Sequence, residues 1–437
     1  MKNYLISICI LFLLSDLNAQ TLLDIYKKGT VKLIPDKDYA QDNQWDKLLL
    51  GSHYDTIYKT FKPGMGYRKS IILMRDGSVV VNHPYCSSYS LFDKNGNFVK
   101  DFNILNFEKS GNEFQNTAAI EGIINNNFFT AMNNNGRIIC FDFDGKYIKT
   151  LQQNSMIYTM LPLTDNKIAL VGMNPGLKDF VSILDYNTNK QNIIWENENT
   201  YNVRNKNPKN EVENNKREMF NYIYFFENGS HISFTTQPLS TTVRKSLQPI
   251  IAFAKNRLIV AFPQNGEILI YNIKGKLISK EKIEWGRKYI TVEEQKEIQK
   301  QAIEKYTNRK KQLSTSKDEL DLEYVKAFET IIKQMEEDLE KINTPILKPV
   351  FSTIIKDSDD NLLFFEIPET EGANKFNVWI YQDGGKFICQ SSFVCDDYDL
   401  SITPSKMVFH NGYIYSLQVL KNATGNPLRL VRFKLSN

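Results

Sequence analysis

The chain has 437 residues, 42% hydrophobic and 24% charged, with 54 Lys and Arg against 50 Asp and Glu. That apolar content excludes wholesale disorder, and a formal charge of +4 gives no reason to expect nucleic acid or an anionic membrane surface as a partner. With only 4 His and 5 Cys a dense metal or disulfide framework is excluded too, while 27 Phe and 22 Tyr favour sheet.

Residues 1–19, MKNYLISICILFLLSDLNA, have the order of a secretory signal peptide. Lys2 is its charge and Tyr4 to Leu14 its apolar run. Ala19 is the small residue before a cut that leaves Gln20 first. The run is too short to cross a bilayer core of about 30 Å. Cys9 lies inside it and lacks the small-residue pattern of a lipid-attachment site. The expected location is therefore periplasmic or secreted, with residues 20–437 as the mature chain and no transmembrane segment within it. Export permits disulfides among Cys86, Cys140, Cys389 and Cys395. Cys389 and Cys395 alone are close in sequence, and a turn between them would have to bring their Cα atoms within about 7 Å. Free thiols are the simpler reading. Zinc is not indicated, since no C-x-x-C is present.

Most of the remaining chain consists of short apolar runs separated by Asn, Asp and Gly. Gly29 to Pro35 reads as a strand without a sequential partner. Ser70 to Met74, Ser78 to Val81, Tyr89 to Phe92 and Phe98 to Phe102 then read as four strands in a row. Arg75-Asp76-Gly77 and Asp93-Lys94-Asn95-Gly96 are the turns that suit positive φ. The third strand and its turn recur as Cys140-Phe141-Asp142-Phe143-Asp144-Gly145 and as Ile183-Leu184-Asp185-Tyr186-Asn187. They recur again as Ile270-Tyr271-Asn272-Ile273-Lys274-Gly275 and as Ile380-Tyr381-Gln382-Asp383-Gly384. A four-strand unit with a period of about 40–50 residues predicts an all-β fold, a β-propeller of four-stranded antiparallel blades.

First-hairpin turns at Gly77, Asn126, Asn166, Gly229, Asn256, Asn361 and Gly412 give a count of seven blades, with six as the alternative because residues 198–248 hardly hold a complete unit. Pro84, Pro175, Pro238, Pro263 and Pro368 follow five of those turns. They mark where second strands end, because proline cannot donate to a ladder. The last unit, Lys406–Phe409, Tyr413–Leu420 and Leu428–Leu435, lacks a fourth strand. The strand near residues 29–35 is expected to supply it and close the ring. Units with Phe-Asp-x-x-Gly-x-Phe/Tyr-Ile/Val-Lys, as in Ser70–Phe102 and Arg137–Leu151, resemble exported bacterial six-bladed β-propeller proteins of the TolB-like/NHL-like kind. That resemblance covers most of residues 65–437. It implies an architecture and no assigned activity.

Residues 287–345 interrupt the strand pattern. Thr291-Val292-Glu293-Glu294 and Ser316-Lys317-Asp318-Glu319 have the form of capping boxes. Ile298, Ala302, Tyr306 and Leu313 follow the first; Val325, Phe328, Ile332, Met335, Leu339 and Ile342 follow the second at helical spacing, up to Pro345. This predicts an inserted α-helical hairpin whose first helix is basic and second acidic, protruding from the propeller, either as a site for a partner or as a decoration that only covers a blade edge.

No H-E-x-x-H, G-x-S-x-G, P-loop or G-x-G-x-x-G occurs, and His53, His83, His231 and His410 are scattered. No catalytic residue and no cofactor is assigned. Asp357-Ser358-Asp359-Asp360 and Asp396-Asp397-Tyr398-Asp399 have the oxygen ligands a Ca²⁺ ion wants, although turn chemistry explains the first more simply. The reading that follows is an exported propeller acting as a binding or scaffold module for a protein or glycan partner. A metal-dependent hydrolase or lyase with its site at the propeller channel is the alternative.

Overall fold

A computed structural model describes residues 21–41, 45–48, 54–55, 60–61, 71–83, 88–103, 117–124, 127–132, 137–197, 220–226, 231–236, 248–283, 289–399 and 407–437, apart from short turns inside the longer stretches. The signal segment 1–19, His53, Cys86, the Asn126 and Gly229 turns and residues 198–219 lie outside the described residues.

The repeat seen in the sequence is a repeated turn. Asp93 Oδ1 accepts from the backbone N–H groups of Asn95 and Asn97, both at 2.8 Å. Asp142 Oδ1 accepts in the same way from Asp144 and Lys146, and Asn272 Oδ1 from Lys274 and Lys276. The fourth residue of the turn then adopts positive φ, +83° at Gly96 and +83° at Gly275. A carboxylate or amide that satisfies its own turn, followed by a residue free to enter the left-handed region, fixes where each third strand ends. Gly96 has a second constraint, because a Cβ there would lie 2.8 Å from the backbone nitrogen of Ala40. Gly77, at φ +89°, would meet only the Lys94 side chain at 3.6 Å. Gly96→Ala is therefore expected to cost about 2 kcal/mol or more in urea unfolding, and Gly77→Ala about half of that.

Four complete antiparallel meanders result. Sheet 1 is Ile71–Leu73, Val79–His83, Ser88–Phe92 and Phe98–Asn103. Sheet 2 is Thr117–Ile124, Asn127–Met132, Arg137–Phe141 and Tyr147–Gln152. Sheet 3 is Met156–Thr164, Lys167–Met173, Asp179–Asp185 and Gln191–Glu196. Sheet 4 is Ile250–Ala254, Arg257–Phe262, Glu267–Asn272 and Leu277–Lys282. Sheet 5, Phe351–Lys356, Leu362–Glu366, Lys375–Gln382 and Lys386–Val394, is joined edge to edge with sheet 6, Met407–His410, Tyr413–Leu420 and Leu428–Ser436.

The joining element is the N-terminal strand Thr30–Pro35. It runs antiparallel to the last strand, with Leu33 opposite Leu435, and parallel to the outer strand of sheet 5, with Val31 opposite Phe393. Helix α1, Leu22–Lys27, precedes it, capped by a Thr21/Asp24 box. A short helix, α2, Trp45–Leu48, follows. Val31 and Leu33 are buried while Thr30, Lys32 and Ile34 are exposed, so a period of two puts one face of this strand into the core. Just beyond it, Arg432 donates to Asp36 Oδ2 through Nη2 at 2.6 Å and through Nε at 3.1 Å. The same guanidinium stacks over Tyr413 at 4.6 Å and Tyr39 at 4.7 Å.

The blade cores set the order of the ring. Val80, Tyr89 and Phe102 of sheet 1 pack on Ile139 and Phe141 of sheet 2. Ile138 and Cys140 of sheet 2 pack on Ile157, Leu170 and Phe180 of sheet 3. Val171 and Val181 of sheet 3 pack directly on Leu258 and Val260 of sheet 4. Sheet 4 meets sheet 5 through Ile259 and Phe364, and sheet 5 meets sheet 6 through Phe365 and Phe409. Leu417 and Leu430 of sheet 6 close on Val79 and Val81 of sheet 1. First strands also touch in this cyclic order. A β-propeller is the architecture this packing describes.

The Gly229 hairpin departs from the sequence expectation. Its strands Phe220–Phe225 and His231–Thr236 pair with each other, and among the described residues they join no other sheet. Sheets 3 and 4, which were to flank it as blades, are in contact with each other instead.

Candidate functional site

What the Gly229 hairpin packs on is the inserted helical pair. Helix α3, Val292–Leu313, starts at a Thr291/Glu294 capping box, with Thr291 N–H donating to Glu294 Oε2 at 2.8 Å. Helix α4, Glu319–Lys341, is capped by Asp318, whose side chain accepts from Leu320 N–H, and not by the expected Ser316 box. Ser316 sits two residues too early, where its hydroxyl accepts from Asp318 N–H instead. A two-stranded stem, Tyr289–Ile290 paired with Ile346–Leu347, closes the base.

The apolar stripe of α4 supplies Phe328, Ile331, Ile332 and Met335 to a core that also takes Tyr222 from the hairpin. Tyr224, Ile232, Ala302, Ile303 and Tyr306 pack around it. Burial holds the Tyr306 phenol above its ordinary pKa. Two buried glutamines tie the parts together. Gln299 Nε2 donates to Tyr222 Oη at 2.7 Å and to the Met335 carbonyl at 3.1 Å. Gln295 Nε2 donates to the Thr344 carbonyl at 2.9 Å. Buried amides with donors placed in this way fix one register between hairpin and helices. The helical pair is therefore not the free protrusion expected from sequence: it shares a core with a hairpin from a different part of the chain. Outside that core, Lys300, Lys305, Arg309 and Lys311 of α3 are exposed, as are Glu323, Glu329, Glu336 and Glu340 of α4.

The residues singled out for chemistry are held apart. His83 is buried, with Nε2 2.8 Å from Ser90 Oγ, and Ser90 Oγ donates to Asp101 Oδ1 at 2.6 Å. The one hydroxyl proton of Ser90 is directed to Asp101 and not to the imidazole, and Lys47 pairs with the same carboxylate at 2.9 Å, so the residues form a hydrogen-bonded network that runs from the core to the surface and not a Ser–His pair with the imidazole as base. His410 packs edge-on to Tyr415, and His231 lies in the hairpin.

Neither acidic cluster has the form of a cation cage. Asp357 is buried and accepts from the N–H groups of Asp359 and Asn361, from Asn361 Nδ2 at 2.8 Å and from Tyr26 Oη at 3.1 Å. It is the same turn as at Asp93, with Asp360 at φ +60° and α1 docked on top. In the Asp396–Asp399 loop, the Lys421 ammonium donates to the Asp396 carbonyl at 2.9 Å, so a cation from the chain already sits there. Among the described residues no three His, Cys, Asp or Glu side chains converge on a point. Cys140, Cys389 and Cys395 are free thiols. Strand Lys386–Val394 keeps residues 389 and 395 about 20 Å apart, well beyond disulfide reach. Among the described residues no helix is long and apolar enough to cross a membrane.

Asp357 gives a pH dependence. Burial raises its carboxyl pKa above the ordinary 3.8, although the Asn361, Asp359 and Tyr26 hydrogen bonds pull the other way. The folded protein then keeps a proton at a pH where the unfolded chain has released it. The stability this provides is complete below the unfolded value and declines as pH rises through the raised one. Asp357→Asn should therefore lose stability less steeply than the parent between about pH 4 and pH 7, read as urea midpoints.

No family model matches the chain, and no curated protein matches it. Solved structures do show likenesses. A member of the DUF4221 family from Bacteroides vulgatus is 12% identical over 94% of this chain and 99% of its own, with a TM-score of 0.47. A catalytically inactive virginiamycin B lyase from Staphylococcus aureus with quinupristin is 12% identical over 88% and 98%, with a TM-score of 0.40. BamB from Moraxella catarrhalis is 9% identical over 83% and 81%, with a TM-score of 0.32.

Proposed function

We propose that this chain is an exported six-bladed β-propeller acting as a binding module, and that the unit formed by α3, α4 and the Gly229 hairpin docks a protein partner. The reading rests on one observation above all. Two insertions, from either side of sheet 4, build a second core around Tyr222, Ile331 and Met335 that is separate from every core between blades. A decoration that only covered a blade edge would share that blade's core. This unit instead presents a basic helix and an acidic helix side by side, the pattern of a surface that selects its partner by charge. The signal-like order of Lys2, Tyr4–Leu14 and Ala19 supports export.

The test is a photo-crosslinking amino acid at Arg309 of the mature protein, with one at Lys94 on the Asp93 turn as the comparison. A discrete crosslinked protein from the native exported fraction is expected at Arg309 only. It should disappear when Lys300, Lys305 and Lys311 are reversed to Glu at unchanged melting temperature. Equal crosslinking at both positions, or survival of the product after charge reversal, would show that the unit is not the docking site. N-terminal sequencing that begins elsewhere than Gln20 would remove export as read here.

A further inference from the structure

We propose that the open end of the sheet 5 face that packs on sheet 4, around Trp379 and Phe387, binds a neutral saccharide. The face is set by register. Strands Lys375–Gln382 and Lys386–Val394 place Asn377 opposite Ser392, Trp379 opposite Gln390 and Tyr381 opposite Phe387. A shift between Ile380 and Tyr381 passes over Ile388, so Phe387 stays on the same face as Trp379 and Tyr381. The ring centroids show the result: Phe387 lies 5.7 Å from Trp379 and 5.5 Å from Tyr381.

The polar groups converge beside these rings. Glu366 accepts from the Trp379 indole N–H, from Asn377 Nδ2 at 3.1 Å and from Gln390 Nε2 at 3.3 Å. Ser392 Oγ donates to Asn377 Oδ1 at 3.2 Å. The carboxylate thus fixes the plane of the indole and the direction of both amides before any ligand arrives. Phe387 is 49% exposed and Gln390 is exposed; Trp379, Asn377, Ser392 and Glu366 are half-buried, and Tyr381 is buried in the core between sheets 4 and 5, so the arrangement opens to solvent at its Phe387 and Gln390 end. Sheet 4 supplies a second wall, since a Cβ at Gly385 would lie 3.0 Å from Glu281 Cγ.

An aromatic platform next to amides, a hydroxyl and a carboxylate has the chemistry a sugar ring needs. The C–H face of the sugar stacks on the rings, and its hydroxyls exchange hydrogen bonds with groups that both donate and accept. Glu366 and Glu281 oppose an acidic ligand. A peptide adding by strand pairing would need the edge of Lys386–Val394, part of which Thr30–Pro35 already covers. None of these residues belongs to the helical unit, so the two sites are independent.

The test is calorimetric titration of the mature full-length chain with maltohexaose, cellohexaose, laminarihexaose, mannohexaose and xylohexaose, with polygalacturonate as the acidic control. Binding to at least one neutral oligosaccharide is expected. It should weaken about tenfold in Phe387→Ala and several-fold in Gln390→Ala, at unchanged melting temperature. The proposal is overturned if no neutral oligosaccharide binds at about millimolar concentration, if polygalacturonate binds best, or if Phe387→Ala binds as tightly as the parent.

Discussion

Replacing Arg432 by alanine is expected to lower the stability of the whole propeller by about 3 kcal/mol, measured by urea unfolding, because it strips a partly buried carboxylate of its cation. Asp36 is 6% exposed and Arg432 19%. Burial works to raise the Asp36 pKa, but the Arg432 hydrogen bonds and the Asp38 N–H outweigh it and hold the carboxyl below its ordinary value. Without the guanidinium that balance is lost, and Tyr39 and Tyr413 lose the cation stacked between them. The effect should reach beyond the pair. Asp36 N–H also donates to the Arg432 carbonyl at 2.8 Å, directly after the strand that joins sheets 5 and 6. Amide exchange in Thr30–Pro35 should therefore accelerate more than in sheets 2 and 3. Asp36→Asn and the double variant complete a cycle, and a coupling energy below about 0.5 kcal/mol would show that the clasp contributes little.

Much of the fold was legible because its turns are local. Asp93, Asp142 and Asn272 each satisfy two backbone N–H groups with their own side chain, and Gly96 and Gly275 follow at positive φ; the sequence spells out both halves of that device. The order of the ring was not legible, for the same reason. The Gly229 hairpin has the alternation and turn of a first hairpin, and only packing tells it from one. Val171 meets Val260 across what would have been its place, and Tyr222 turns to Met335 instead. The Arg432 clasp joins residues from opposite ends of the chain, and no local pattern marks Arg432 as different from Arg429 three residues earlier. The Trp379 face was missed for a related reason: its residues lie on three strands, and the extra residue Ile388 puts Phe387 out of simple alternation. Patterns with a period of two find faces, but not which end of a face stays open once neighbouring sheets have packed on it.

Deleting residues 287–345, with residue 286 joined to 346 through a short Gly/Ser linker, should leave the propeller folded and expose a hydrophobic patch. The ring has no need of the segment. Ile283 N–H donates to the Gly266 carbonyl before it and Val350 N–H to the Pro263 carbonyl after it, so both ends are anchored on sheet 4. No residue of α3 or α4 enters a core between blades. The entropy of closing a shorter connection changes by only about 0.6 kcal/mol per halving of length. What the deletion removes is the cover over the Gly229 hairpin, where Tyr222 is 1% exposed and Tyr224 and Ile232 are partly buried. An isolated two-stranded hairpin is at best marginal in water, so those side chains should become accessible and the protein should bind a hydrophobic dye or aggregate. A second variant lacking both 198–248 and 287–345 removes the patch with its cover. It should regain solubility and unfold in one cooperative transition near the temperature of the parent. Loss of cooperative unfolding in both variants would mean that the helical unit is part of the propeller core. Dye binding in the first variant alone, with cooperative unfolding in both, is the result that two independent cores require.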